Sequence, residues 1–399
     1  MTPGQSGNSG RDARDDLVEF GRGRPDAGRW LARSLLAFLG LAAAITITVH
    51  AVGHHASPAA GNRAAIPAPQ QPPVRVMVIG HRLLGQTTGW QLFARGPDDL
   101  LRIQFAQGRV TETYVPPLES ASPAVALVIE AHEAVIRSAD LVPGFVVPDG
   151  DQARVLTGPL AGGGPLVPGP PGSQTAWVTS GSATSPALSL FTLTGQRSGP
   201  VIRFPEGGPQ VRGTAVSDGR GDVLVITGSF AVYDAGPGWE RPLPGAIIAI
   251  GPASWLAVTC DAHDRHCRNE VIDAADRTRR ILPRPAQAEP YYFSWPPTGV
   301  IAPDGQVAAV AESGSGGTLT VYLIDLRTGR TRNLNVRIGA PGGDQSPGGD
   351  QQSMVWSPDS QWLFVAAAGG HLLAINARTG RTEPLGFRLP RVDQVAVRP

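Results

Sequence analysis

Cys260, His263, His266 and Cys267 place four possible zinc ligands within eight residues. Thiolates and imidazoles are the ligand set of a tetrahedral zinc centre. The adjacent His266-Cys267 pair is awkward for one such centre, and these two are the only cysteines in the chain. They flank a loop between the apolar run Trp255–Thr259 and the run Arg268–Ile272. In an exported domain a pair of this kind forms a disulfide. The expectation is therefore a Cys260–Cys267 bridge stapling a hairpin, with Thr259 beside Arg268, no metal, and His263 and His266 as solvated loop residues.

Tyr291-Tyr292-Phe293-Ser294-Trp295-Pro296-Pro297 is the densest aromatic run. Tyr291, Tyr292, Phe293 and Trp295 are the candidates for a partner or ligand surface at the mouth of a central channel, with packing as the plainer alternative. Arg220-Gly221-Asp222 falls on an expected turn and is given no role. No G-x-S-x-G elbow, H-E-x-x-H pair, phosphate-cradling glycine loop or EF-hand loop occurs. Glu130, Glu133, Asp140, Glu206, Glu270 and Glu312 are dispersed, and spacing pairs no two of them as acid and base. All 34 basic residues are Arg, which excludes Schiff-base and P-loop lysine chemistry. A net charge of +1 with no basic stripe argues against nucleic acid. No catalytic residue and no cofactor is assigned.

The chain before the repeats is organised by charge. Residues 1–33 are polar and Gly-rich, with six Arg among five acids, and read as a disordered tail. From Ser34 to Val52 there is no Asp, Glu or Arg over 19 positions. About 20 apolar residues span a bilayer. A single-pass transmembrane helix over 34–52 is expected, and the arginines before it keep the N-terminus in the cytoplasm. A cleaved signal peptide ending near Val49-His50-Ala51 is the alternative. Residues 53–73, with Ile66-Pro67-Ala68-Pro69-Gln70-Gln71-Pro72-Pro73, read as an extended linker. The cell membrane is then the location, with residues 74–399 as an extracytoplasmic domain.

That domain repeats. Met354-Val355-Trp356, Trp362–Ala367, Leu372–Ile375 and a stretch around Leu385 read as four short strands separated by Ser357-Pro358-Asp359-Ser360, Gly369-Gly370 and Thr379-Gly380. Ile375-Asn376-Ala377-Arg378-Thr379-Gly380-Arg381 matches Ile324-Asp325-Leu326-Arg327-Thr328-Gly329-Arg330, and both resemble Ile103–Arg109. Weaker copies give marks at residues 149, 192, 234 and 273, so that seven marks follow one another at 39 to 52 residues. Repeats of roughly 40–50 residues signal a β-propeller. The expected fold is all-β, a seven-bladed propeller; six and eight blades are left open by the degenerate second and third copies. Val395–Pro399 looks like the start of an eighth repeat, a strand that completes the first blade and leaves no edge open. The Gly/Pro-rich inserts 158–173 and 340–352 are expected as surface loops.

The Ser-Pro-Asp-Gly type of turn before an apolar strand, at 302–310 and 357–367, resembles the TolB-like, WD-repeat-like propeller repeat of bacterial extracytoplasmic proteins. The resemblance covers about a quarter of the chain and implies the fold, with no particular activity. The D-x-x-T-G element also resembles repeats of quinone-dependent dehydrogenases, but their following Trp is absent at 330–334 and 381–385. The resulting expectation is a non-catalytic binding platform for an unidentified protein or envelope component. A propeller hydrolase or lyase acting on an envelope glycan or lactone is the alternative.

Overall fold

A computed structural model of the chain describes residues 74–118, 125–138, 143–162, 166–182, 185–203, 214–226, 232–234, 245–260, 267–283, 299–313, 318–339 and 353–399. The tail, the apolar run 34–52, the linker, the aromatic run 291–297, both loop histidines and the insert 340–352 lie outside these residues. Among the described residues no helix is long and apolar enough to cross a membrane.

The described residues form strands in successive antiparallel meanders. Meander 1 contains β1 (Arg75–Val78), β2 (Gln91–Arg95), β3 (Asp99–Gln104) and β4 (Arg109–Tyr114), and meander 2 contains β5 (Val125–Ile129), β6 (Glu133–Ser138), β7 (Phe145–Pro148) and β8 (Arg154–Val155). Meander 3 runs through β9 (Leu166–Pro168), β10 (Thr175–Ser182), β11 (Ser185–Thr192) and β12 (Arg197–Arg203). Meander 4 has β13 (Thr214–Ser217), β14 (Val223–Ile226) and β15 (Val232–Asp234). Meander 5 has β16 (Ala246–Ile250), β17 (Ser254–Thr259), β18 (Arg268–Asp273) and β19 (Arg279–Ile281). Meander 6 follows as β20 (Gly299–Ile301), β21 (Val307–Ser313), β22 (Thr318–Asp325) and β23 (Thr331–Gly339). Meander 7 is β24 (Met354–Trp356), β25 (Trp362–Ala367), β26 (His371–Asn376) and β27 (Thr382–Glu383), and β28 (Gln394–Arg398) ends the chain. Every repeat mark read from the sequence falls at or just beyond the end of a third strand.

The sheets are joined into a cycle by what they bury. Strands such as Trp362-Leu363-Phe364-Val365-Ala366-Ala367 are buried on both faces, and near-continuous apolar runs are the sequence form of such strands. One cluster packs meander 7 on meander 1 through Phe364, Trp362, Trp90 and Phe105, with ring centroids 4.5 to 5.7 Å apart. Further clusters join meanders 1 and 2, 2 and 3, 3 and 4, 4 and 5, 5 and 6 and 6 and 7. The first strands lie side by side around the inside: β28 against β5, β5 against β9, β9 against β13, β16 against β20, β20 against β24, and β24 against β28. A ring of radiating meanders closed in this way is a β-propeller.

Closure is the work of the last strand. β28 pairs antiparallel with β2, from Gln91↔Arg398 to Arg95↔Gln394, and so becomes the innermost strand of meander 1. β1 adds a strand on the outer side, paired with β4. Arg398 then crosses to meander 2. Its Nη1 donates to the carbonyls of Glu130 (2.9 Å) and Ala131. Its Nη2 donates to Gln91 Oε1 (3.0 Å) and Asp149 Oδ1 (2.8 Å), and the guanidinium lies 4.6 Å from the Phe93 centroid. Asp149 also pairs with Arg102 Nη1 at 2.7 Å.

Two expectations need correction. The stretch 158–173 is not a surface loop: it holds a 3-10 turn, Gly158–Ala161, and β9, with Leu160, Leu166 and Val167 buried. Three apolar side chains spaced among glycines suffice to pack it, Leu160 and Leu166 between meanders 2 and 3 and Val167 between meanders 3 and 4. The last strand of meander 7 is Thr382–Glu383, and Leu385 lies beyond it in the cluster shared with meander 1.

Arg398→Ala leaves Asp149 without one of its two cationic partners and strips donors from two carbonyls. Asp149 is partly exposed and keeps Arg102, so the loss comes mainly from the carbonyls, at about 1–3 kcal/mol for a polar group left unsatisfied. Chemical denaturation of the variant is expected to show that loss, and deletion of 394–399 a larger one; a midpoint unchanged in both would refute closure by this strand.

Candidate functional site

The inner edge of the ring is the first place to look for chemistry. Its strands read Gln-Val-Ala-Val-Arg (β28), Val-Ala-Leu-Val-Ile (β5), Leu-Val-Pro (β9), Thr-Ala-Val-Ser (β13), Ala-Ile-Ile-Ala-Ile (β16), Gly-Val-Ile (β20) and Met-Val-Trp (β24). None contains Asp, Glu, His, Cys or Tyr, and the one charged residue, Arg398, has both terminal nitrogens engaged in the closure contacts. Between meanders 5 and 6 the edge is pinched. β16 and β20 pair in parallel there, and a Cβ on Gly299 would stand 2.4 Å from Ile248 O.

Among the described residues, the turns at the ends of the sheets carry further polar groups. At one end lie the turns between first and second strands together with those between third and fourth strands. The second kind explains the D-x-x-T-G motif. Asp325 Oδ1 accepts from the amides of Arg327 (3.0 Å) and Thr328 (2.7 Å), while Gly329 N donates to Asp325 O (2.8 Å). Asn376 repeats this through Thr379 N (3.0 Å) and Gly380 N (2.8 Å). Gly329 and Gly380 have φ of 67° and 66°, so the fifth position takes glycine without strain. An arginine follows each of them, Arg330 and Arg381, as Arg109 follows Gly108 (φ 57°) in meander 1.

Neighbouring turns are clamped to one another. Arg280 Nη2 donates to Leu326 O (2.7 Å), and Arg332 Nη1 to Arg378 O (3.3 Å). The Asp218–Asp222 turn of meander 4, which contains Arg220-Gly221-Asp222, is held on both sides. Trp177 Nε1 donates to Gly221 O (2.7 Å), Trp255 Nε1 to Asp218 O (2.8 Å) and Arg220 Nη1 to Ala274 O (2.8 Å). A Cβ on Gly221 would meet Pro170 Cα at 2.1 Å. Gly221 is thus packed between meanders, with Arg220 and Asp222 exposed on either side of it. Trp90, Trp177, Trp255, Trp356 and Trp362 are all buried between meanders.

The disulfide is present. Cys260 and Cys267 are bonded at 2.08 Å with Cα atoms 4.0 Å apart, directly beyond the Thr259↔Arg268 pair. The bridge occupies both thiols of the notional zinc set. Among the described residues no three His, Cys, Asp or Glu side chains converge on a metal position. Of the dispersed acids, Glu270 sits buried on β18 with Arg268 Nε at 2.7 Å, and Arg279 lies 3.9 Å away. Glu312 is on β21, where burial raises its pKa. Asp140 and Glu206 lie outside the described residues, as do Tyr291, Tyr292, Phe293 and Trp295.

Two carboxyls stand out electrostatically. Burial pushes Glu130, at the first turn of meander 2, up to about 7, against the lowering effect of the Gln174 amide. Asp99 is raised to about 6, first by burial and then by the charges of Asp98 and Glu112, with a lowering hydrogen bond from Gly96 and a further rise from Asp393. They sit at opposite ends of the sheets: Glu130 leads into the start of β6, whereas Asp99 starts β3 after the turn that ends β2. They cannot act as one acid–base pair. The sequence had no signal for Asp149 as a partner of Arg398, since the two stand 249 residues apart.

Comparison of the sequence with family profiles and with curated proteins finds no match. The fold is similar to solved structures at low identity. TolB from Acinetobacter baumannii is 13% identical over 79% of this chain and 68% of that one, with a TM-score of 0.42. An oligogalacturonate lyase in complex with manganese is 11% identical over 73% and 86%, with a TM-score of 0.47. A putative 6-phosphogluconolactonase from Bacteroides uniformis is 12% identical over 78% and 100%, with a TM-score of 0.43. These proteins differ in what they do, and the similarity selects none of them.

Two measurements follow from the titrating and bridging groups. A carboxyl raised in the folded state holds a proton that the unfolded chain has lost, so its contribution to stability declines as pH rises from the unfolded value of 4.5 toward 7. Denaturation of Glu130→Gln at pH 5 and pH 8 is expected to show equal or lower stability than wild type at pH 5 and higher stability at pH 8; a parallel offset at both refutes the buried carboxyl. The double variant Cys260→Ala/Cys267→Ala should lose roughly 2–3 kcal/mol, the lower part of the usual range, because the closed loop is short. Its thermal midpoint under reducing conditions should match that of the reduced wild type.

Proposed function

We propose that this protein is a seven-bladed β-propeller, displayed outside the cell by a single-pass anchor over residues 34–52, that acts as a non-catalytic platform for a protein or envelope-component partner. Each of the seven meanders is one blade, and β28 supplies the missing inner strand of the first. The observation that carries the non-catalytic part is the composition of the inner edge. Propeller enzymes gather acids and histidines from several blades into the channel, and the seven inner strands here provide none. The hydrolase or lyase reading would require its residues elsewhere, and the two carboxyls raised furthest, Glu130 and Asp99, are at opposite ends.

The anchor reading is supported by the 19 uncharged positions and by the arginine excess before them. Location outside the cytoplasm agrees with the Cys260–Cys267 bridge, since such bridges persist in oxidising compartments. A binding role fits a fold whose rigid cycle presents two surfaces of turns.

Crosslinking in intact cells, followed by capture of the full chain from membranes, is expected to recover a discrete partner. The same material should be cleaved within 74–399 by protease added from outside. A chain that fractionates without the membrane removes the anchor; turnover of an envelope glycan or lactone by purified protein would replace the platform with the enzyme.

A further inference from the structure

We propose that the turns of meanders 6, 7 and 1 form a binding ridge for an extended polyanion, a chain of phosphodiester groups, gripped by Arg109, Arg327, Arg330, Arg378 and Arg381. The inference rests on the platform reading and specifies the surface and the chemistry of its partner.

The five arginines belong to equivalent turns of three consecutive meanders, all at the same end of the sheets. Arg109, Arg330 and Arg381 each follow the positive-φ glycine, and Arg327 and Arg378 each sit two residues after the capping Asp325 or Asn376. Position in a rigid turn fixes where each side chain leaves the surface, so the charges recur from one meander to the next. The turns are also locked together. Arg332 reaches from β23 to Arg378 O, and its Nη1 lies 2.8 Å from the Cβ that Gly380 lacks. A larger residue at 380 would break that junction.

The five are exposed, and none forms a salt bridge among the described residues. The segments 104–111, 325–332 and 376–383 hold six Arg against Asp325 and Glu383, in a chain whose totals are 34 basic and 33 acidic. Asp325 spends its Oδ1 on backbone amides while its charge lies beside Arg327, and the neighbouring first-turn acids Asp304 and Asp359 also cap backbone amides. Unpaired guanidinium groups, planar and fork-shaped, bind phosphate oxygens bidentately. A row of them along successive turns suits a linear polymer. A membrane surface fits less well, because interfacial binding also needs exposed apolar side chains. Of the exposed large apolar residues, Val155 and Ile281 are on outer strands of other meanders, and Val76, Met77 and Val78 are on β1, where Val78 alone stands beside a ridge arginine, paired with Arg109.

The test uses the full chain in phosphatidylcholine nanodiscs with poly(glycerol phosphate) as probe and uncharged dextran as control. The wild type should bind the polymer and not dextran, with affinity falling on the order of tenfold or more between 50 and 200 mM salt. Arg330→Glu/Arg381→Glu should weaken binding about tenfold or more, while Arg75→Glu/Arg203→Glu, an equal change of net charge at exposed strand positions, should change it by less than about twofold. Thermal unfolding confirms that both pairs fold. Equal loss in both pairs, or no binding by the wild type, overturns the ridge. Loss of polymer binding on moving to phosphatidylglycerol nanodiscs also overturns it, since the occupant is then lipid. Partner capture from cells that persists in Arg330→Glu/Arg381→Glu, with no polymer bound by the wild type, sinks the ridge and leaves the platform standing.

Discussion

The structure depends on one long-range pairing, β28 on β2, with Arg398 fastening that strand to the next meander. Each meander is a thin sheet with two apolar faces, and neither face can be covered from within the sheet. Six junctions form between meanders that follow one another in sequence; the seventh must join the two ends of the domain. Gln91 and Arg398, bonded at 3.0 Å, are 307 residues apart. Loop-closure entropy rises only slowly with length, so the penalty for that junction is modest beside the apolar surface it hides. Without it, Trp90, Phe105 and Phe364 would face water. A strand alone would also leave its end free to fray. The guanidinium of Arg398 prevents this by bonding carbonyls and a carboxylate on meander 2, so closure ties meander 7, meander 1 and meander 2 in one place.

The same geometry decides where function can reside. Going outward along each sheet, the sequence changes from Ala-Ile-Ile-Ala-Ile and Trp-Leu-Phe-Val-Ala-Ala to Arg-Arg-Ile and Thr-Glu. Inner and middle strands are squeezed between neighbours and are mostly apolar, whereas fourth strands such as β19 and β27 meet water on the perimeter. Among the described residues the inner strands carry no Asp, Glu, His, Cys or Tyr. What remains are the turns, whose backbones are fixed by Asx caps and positive-φ glycines and whose side chains are otherwise unconstrained.

Much of this was legible because the turn chemistry is local. Asp325-Leu326-Arg327-Thr328-Gly329 is capped by its own Asp325 side chain and carbonyl, so each copy carries its own signature, and the marks fell at the third-strand ends. Val395–Arg398 was readable as a closing strand because it repeats the start of meander 7. Meanders 2 to 4 were harder, since their turns use Asp149-Gly150 or Thr192–Gly195 in place of the full motif. The Gly158–Ser173 stretch misled for a physical reason. Glycine and proline dominate its composition, but burial is decided by Leu160, Leu166 and Val167 alone. The Arg398–Asp149 bond left no trace, because side chains that meet across 249 residues obey no spacing rule.

A chain whose bases are all arginine must use one side chain for two opposite purposes, and turn position separates them. In meander 5 the residue in the positive-φ position is Arg277 (φ 63°), where meanders 6, 7 and 1 have glycine. Its guanidinium folds back over Trp255 at 4.2 Å, a cation–π contact that spends the charge inside the structure. In the other three turns glycine takes the strained conformation, and the arginine comes one residue later, on ordinary backbone and pointing into water. The fifth and sixth positions together, Arg277-Thr278 in one turn and Gly-Arg in the other three, thus decide whether a turn contributes a packing contact or a free charge. The surface charge of this protein is set by which of its turns can do without that arginine for their own stability.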